Sequence, residues 1–132
     1  GTPTGRFALR EVLYRKDRVM RPVTHLPVST IGPNDGWCDD PSEPAYNKRV
    51  ILPHPGGHET LYRMDSLYDI VVPLGYNDDP PIASKGSAIF MHIARDDYST
   101  TEGCVAVAQT DLLTILALAG PDDFLAINPP RL

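Results

Sequence analysis

The chain has 132 residues, of which 42% are hydrophobic and 22% are charged. This length is sufficient for one hydrophobic core, so we predict a single domain over residues 1–132. The net charge of -5 argues against a protein that binds nucleic acid by neutralising its phosphates, and no stretch approaches the roughly 20 apolar residues of a membrane-spanning helix.

The N-terminal part of the sequence predicts short strands around a long loop. Residues 7–14 are rich in β-forming residues, and with residues 18–20 they predict a β-hairpin. Residues 47–53 predict a further short strand. Residues 29–47, STIGPNDGWCDDPSEPAYN, are dense in Gly, Pro, Asn and Asp, which predicts a long loop of the kind that carries functional sites.

The C-terminal part predicts two central strands, a helix and a last strand. Residues 67–76 and 86–94 are the most apolar runs and are bounded by Gly or Pro, as central strands are. In residues 109–121, QTDLLTILALAGP, Thr110 is expected to cap a helix that ends at Gly120. Residues 124–128 predict a strand. The predicted class is mainly β, with one helix packed on the sheet.

A histidine and a cysteine lie twelve positions apart at the end of the second apolar run. A cysteine attacks a carbonyl as the thiolate, and a neighbouring imidazole commonly takes its proton, so His92 and Cys104 suit a base and a nucleophile. Gly103 would let a carbonyl approach the backbone, where the Cys104 amide would bind an oxyanion. A core histidine and a small buried cysteine explain the same spacing, so this pattern alone leaves both interpretations open.

Four other features of the sequence carry candidate roles. Trp37 is either a core anchor or a platform for substrate, His58 either lines a cleft or stabilises a turn, and Arg95 either meets a substrate carboxylate or is a solvated loop residue. His54 and His58 with nearby aspartates do not have the spacing of a zinc site, so no metal is expected. Cys38 and Cys104 would form one disulfide in an oxidising compartment, and Cys104 would then not be a nucleophile.

The sequence resembles a known family over nearly its whole length. GSAIFMHIARDDYSTTEGCVAV (86–107), followed by a leucine-rich helix, resembles the active-site segment of L,D-transpeptidases of the YkuD type: a His on a strand, a variable loop, then Ser/Thr-x-Gly-Cys. GTPTGRFALREVLYR (1–15) is similar to the family's TP-x-G-x-F element. GWCDDP, YNKRV and LYDIVVPLGYNDDPP resemble a compact proteobacterial branch of that family.

The resemblance implies a fold and a set of site residues. The implied fold is a YkuD-like mixed β-sandwich with one principal helix after the catalytic cysteine; one or two strands usually precede the TP-x-G-x-F element, which leaves truncation of the N-terminal edge open. Cys104 would be the nucleophile and His92 the base, oriented by the main-chain carbonyl of Ile93, with Gly103 beside them. The residues expected to bind substrate are Thr101, Glu102, Arg95, His58 and Trp37.

The resemblance also implies an activity. It predicts a periplasmic L,D-transpeptidase that acts without a cofactor on diaminopimelate-containing stem peptides of peptidoglycan. The family often has His where Glu102 stands and Arg or Asn where Ala106 stands, and its loop before the cysteine is longer, so we expect an unusual donor subsite and 1,3-type crosslinks. The alternatives are a carboxypeptidase or endopeptidase on the same scaffold, and a non-catalytic wall-binding module with a Cys38–Cys104 disulfide. For an enzyme of either kind, we predict that Cys104 is a free thiol of low pKa and that Cys38 is less reactive.

Overall fold

The computed structural model describes residues 5–78, 82, 86–94 and 104–127 of the chain. Within these residues the fold consists of short strands and a single helix, α1, which confirms the mainly-β class. The elements in chain order are β1 (Gly5–Ala8), β2 (Val12–Tyr14), β3 (Val28–Thr30), β4 (Asp35–Cys38), β5 (Arg49–Ile51), β6 (His58–Thr60), β7 (Ile70–Pro73), β8 (Phe90–Ile93), β9 (Val105–Val107), α1 (Gln109–Leu118) and β10 (Phe124–Ile127).

The strands form three sheets. The largest has five strands in the order β3-β2-β7-β8-β9, with parallel pairs at both edges and antiparallel pairs between them. A three-stranded antiparallel sheet has the order β5-β4-β6, and β1 pairs with β10 in a two-stranded antiparallel sheet. Strands β7 and β8 are therefore central, as residues 67–76 and 86–94 predicted.

The five-stranded sheet has a hydrophobic core on each of its faces, because side chains alternate along a strand. Met91 and Ile93 of β8 belong to one core, together with Leu112 and Leu116 of α1. Phe90 of β8 belongs to the other core, which contains residues from the three-stranded sheet and its connections. This arrangement, with the large sheet between two layers, agrees with the expected YkuD-like β-sandwich.

Two sequence-based predictions in the first half of the chain are wrong. Residues 7–14 and 18–20 form no hairpin; β2 instead pairs with β3 and β7. Residues 29–47 are not a continuous loop, because Asp35–Cys38 is a buried strand between β5 and β6. In both regions, pairing with distant segments overrides the local turn-forming composition.

The helix begins without the predicted cap. Its N-cap residue is Ala108, with no side-chain hydrogen bond, whereas Thr110 lies inside the first turn. Leu112 and Leu116 are fully buried, so packing of one apolar face stabilises the helix in place of a cap. The helix ends at Leu118, just before the predicted Gly120.

Candidate active site

His92 lies on β8 and is buried, with only 1% of its surface exposed. Its Nδ1 is 2.8 Å from the main-chain carbonyl oxygen of Ile93, the group that the family resemblance names as the orienting partner. A carbonyl oxygen only accepts hydrogen bonds, so Nδ1 must carry the ring proton. The other ring nitrogen, Nε2, is then unprotonated and can accept a proton from a thiol. The ring also packs edge-on against Tyr68, with 5.4 Å between ring centroids.

Cys104 directly precedes β9 and is partly buried. Strands β8 and β9 are parallel neighbours with His92 opposite Ala106, so alternation directs Cys104 to the same face as His92. Strand spacings of about 4.8 Å across the sheet and 3.3 Å along it put the two Cα atoms roughly 8 Å apart. The structure thus brings the predicted nucleophile and base onto one face of adjacent strands.

The backbone beside the thiol is held by a buried asparagine. Cys104 Sγ lies 3.4 Å from the carbonyl oxygen of Ala88, and Ala88 has a φ of 55°, a left-handed conformation that an alanine rarely adopts. Asn47 accepts hydrogen bonds from the Ala88 N–H at 3.2 Å and from Trp37 Nε1 at 3.0 Å. Strain of this kind persists only where surrounding contacts enforce it, and Asn47, itself anchored by Trp37, supplies one of those contacts.

The electrostatic environment of Cys104 contradicts the low pKa expected from the sequence. Burial raises the pKa of the thiol, and the negative charge of Glu59 raises it further, whereas a backbone hydrogen bond from Phe90 acts in the opposite direction. A raised pKa favours the neutral thiol over the thiolate at neutral pH. The thiol proton must leave during the attack itself, to a base such as His92.

Glu59 and Tyr68 line the same region and were not predicted as site residues. The Tyr68 hydroxyl donates a 2.6 Å hydrogen bond to Glu59 Oε1. Burial raises the pKa of both groups, and a thiolate at Cys104 would raise the pKa of Tyr68 further. No sequence motif marks the pair, because Glu59 lies in a three-residue strand that the sequence did not predict.

The two cysteines lie in different sheets. Cys38 is fully buried in β4, with Sγ 4.0 Å from the carbonyl oxygen of Asp40, whereas Cys104 directly precedes β9 of the large sheet and contacts Ala88. Both are free thiols. The structure therefore contradicts the alternative in which Cys38 and Cys104 form a structural disulfide.

The remaining predicted substrate-binding residues divide into two groups. Trp37 is 8% exposed and packs edge-on against Phe90 at 5.1 Å, which favours the core-anchor alternative. His58 is exposed on β6, and its Nδ1 lies 3.1 Å from the Gly56 carbonyl oxygen, which favours the turn-stabilising one. Arg95, Thr101, Glu102 and Gly103 lie outside the described residues, so their predicted roles stay predictions.

Within the described part of the chain, no cluster of three or more His, Cys, Asp or Glu side chains has the arrangement of a metal site. No helix in the same part of the chain is long and apolar enough to cross a membrane.

Comparison with known families identifies the domain. The chain matches the family YkuD, described as the L,D-transpeptidase catalytic domain, over residues 1–127. Neither a curated protein nor a solved structure matches it. The family match covers nearly the whole chain and includes the strands that carry His92 and Cys104. The chain therefore belongs to the YkuD family of L,D-transpeptidase catalytic domains.

Proposed function

We propose that this protein is a peptidoglycan L,D-transpeptidase that forms stem-peptide crosslinks through an acyl-enzyme on Cys104. The observation that carries the proposal is the shared face of His92 and Cys104 on adjacent strands, with His92 Nδ1 held by the Ile93 carbonyl. This arrangement needs no carboxylate to fix the histidine tautomer. Family membership supports a peptidoglycan peptide as the substrate.

The reaction has two halves. Cys104 attacks a carbonyl at an L-centre of the donor stem while His92 Nε2 takes the thiol proton, and the C-terminal part of the donor leaves as an amine that receives this proton. A diaminopimelate amine of a second stem then attacks the thioester and releases Cys104. No organic cofactor or metal takes part, and the site of action is the periplasm, where peptidoglycan is assembled.

Intact-mass analysis after incubation with purified muropeptides tests this proposal. We expect an adduct on the wild-type protein and dimeric products, and neither with Cys104→Ala, which removes only a partly buried sulfur. Substantial crosslinking by Cys104→Ala would contradict the mechanism. Release of shortened monomers alone, even when an amine acceptor is in excess, would establish the carboxypeptidase or endopeptidase alternative.

The position of Ala106 supports a proposal about which bond is made. Ala106 lies opposite His92 in the β8–β9 pair, where many family members have Arg or Asn, so the chain has no long polar side chain there. We infer that the donor subsite differs accordingly, and that the enzyme attacks after the first L-residue to form 1,3 crosslinks. Arg95 is proposed to hold the acidic second residue of the departing stem.

Tandem mass spectrometry of dimers made from defined muropeptides distinguishes the crosslink types. Dimers in which the donor contributes only its first residue are expected. Dimers that retain the donor stem through its third residue would refute the 1,3 assignment and leave the 3,3 type.

A further inference from the structure

Glu59 is a partly buried carboxyl group that the mechanism above does not use. It lies on β6, and Tyr68 donates a 2.6 Å hydrogen bond to it. Burial raises its pKa and the charge of Asp39 adds to this effect, whereas the hydrogen bond from Tyr68 and the charge of Arg63 lower it. A carboxyl group in such surroundings changes its protonation state readily in response to a new neighbouring charge.

Tyr68 connects Glu59 to the catalytic residues. The Tyr68 ring packs against His92 at 5.4 Å and against Phe90 at 5.7 Å between centroids. Cys104 packs against the core cluster that contains Tyr68 and Phe90, and the charge of Glu59 acts on the Cys104 thiol. Glu59 therefore stands at the wall of the site, on the small sheet that faces His92 and Cys104.

The position of Glu59 does not favour the first half of the reaction. A carboxylate near Cys104 opposes formation of the thiolate, because two like charges repel. This opposition ends once the sulfur is acylated, since a thioester carries no charge. The second half has the reverse requirement, because the acceptor arrives as an ammonium ion and must lose a proton before it attacks.

We propose that Glu59, held by Tyr68, binds the ammonium group of the acyl acceptor and takes its proton. This inference rests on the proposed transpeptidase function and assigns the acceptor subsite of the same site. An ammonium ion and a carboxylate form a charge-assisted hydrogen bond, and Glu59 is partly exposed.

Protons are conserved in the proposed second half of the reaction. The acceptor ammonium gives one proton to the Glu59 carboxylate, and the neutral amine forms a C–N bond to the thioester carbonyl. The adduct gives its second proton to His92 Nε2, its C–S bond breaks, and His92 returns that proton to the Cys104 sulfur. Glu59 then releases its own proton to solvent, so each turnover of the second half liberates one proton.

Glu59→Gln separates the two halves of the reaction. Glutamine retains an oxygen that accepts the Tyr68 hydrogen bond but binds no proton, and the folded protein is not expected to lose stability. Because the folded-state pKa of Glu59 is raised, ionisation of this group destabilises the fold above that pKa, so a neutral residue leaves the melting temperature equal or higher. Asp39→Asn is the matched control, since it removes a neighbouring negative charge but not the group that Tyr68 holds.

The experiment follows acylation and acceptor use separately. Intact mass gives the rate of acyl-enzyme formation from a disaccharide-tetrapeptide whose diaminopimelate amine is acetylated, so that the donor is not itself an acceptor. Product analysis then gives the partition between dimer and hydrolysed monomer as a disaccharide-tripeptide ending in diaminopimelate is added. For Glu59→Gln we expect acylation as fast as wild type or faster, and an acceptor KM raised about tenfold or more, as for the loss of one charged hydrogen bond. Asp39→Asn is expected to retain the wild-type partition.

A wild-type acceptor KM and partition in Glu59→Gln would overturn the inference while leaving the transpeptidase function intact. Failure of the wild-type protein to form any acyl-enzyme would instead refute the proposed function, and the inference with it. Should Glu59→Gln fold poorly, Tyr68→Phe provides the second test, because it keeps the ring against His92 and removes only the hydroxyl that holds Glu59. Tyr68→Phe must shift the product partition from dimer towards hydrolysed monomer, as Glu59→Gln does. An unchanged partition would overturn the inference.

Discussion

Replacement of Asn47 by glycine is expected to reduce both stability and acylation. Asn47 has a φ of 58°, which glycine adopts without strain, so the variant tests the side chain and not the backbone conformation. It leaves Trp37 Nε1 and the Ala88 N–H without their acceptor, and both residues are less than 10% exposed. At about 1–2 kcal/mol for each buried donor, these two losses alone should lower the free energy of unfolding by about 2–4 kcal/mol. The hydrogen bonds from Asn47 Nδ2 to the carbonyl oxygens of Tyr76 and Asn77 are lost as well.

For a domain of this size that loss corresponds to a melting temperature about 7–14 °C lower, which thermal unfolding followed by circular dichroism measures. The matched control is Asn77→Gly: Asn77 also has a positive φ, 52°, but two of its three side-chain hydrogen bonds are exposed to solvent. We expect it to lose about 1 kcal/mol or less. Equal melting temperatures for the two variants would refute the assignment of Asn47 as the residue that holds the Ala88 backbone.

Three further results are expected. His92→Ala should abolish acyl-enzyme formation whereas Ile93→Val should retain it, because every residue supplies the main-chain carbonyl that Ile93 offers. An equal loss of acyl-enzyme in both variants, measured by intact mass, would contradict the orienting contact. Ala88→Gly should retain activity and leave the melting temperature equal or higher, since about 1 kcal/mol of left-handed strain is relieved; a lower melting temperature would show that the strain is absent. The rate at which iodoacetamide modifies Cys104 should rise about tenfold per pH unit from pH 7 to 9 without a plateau, because the pKa of the thiol is raised. Glu59→Gln should move this rate profile to lower pH. A plateau near pH 7 would indicate a thiolate and contradict the raised pKa.

The sequence predicted the elements whose apolar pattern is strong. Residues 67–76 and 86–94 became β7 and β8, and residues 109–121 contain α1. It did not predict β4 and β6, which are three or four residues long, contain Gly, Asp or Glu, and exist because they pair with each other. Such strands have no local signal, since distant pairing alone stabilises them.

The same limit applies to the site. The motif and the spacing predicted His92 and Cys104 as a base and a nucleophile, and the structure puts them on one face of the β8–β9 pair. The thiol pKa was predicted in the wrong direction because it depends on burial and on Glu59, which lies 45 positions earlier in the chain. The local sequence around a nucleophile shows which neighbouring residues it has. The pKa of the nucleophile, in contrast, depends on burial and on charges from distant parts of the chain.

The two faces of the five-stranded sheet therefore have different roles. On one face, α1 and the core around Met91 and Ile93 fix the position of β8. On the other, His92 and Cys104 face the layer that contains the small sheet, which supplies Glu59 and the Trp37 anchor. If the proposed reaction takes place at Cys104, a donor stem must approach it on the face of the large sheet that packs against the layer containing the small sheet.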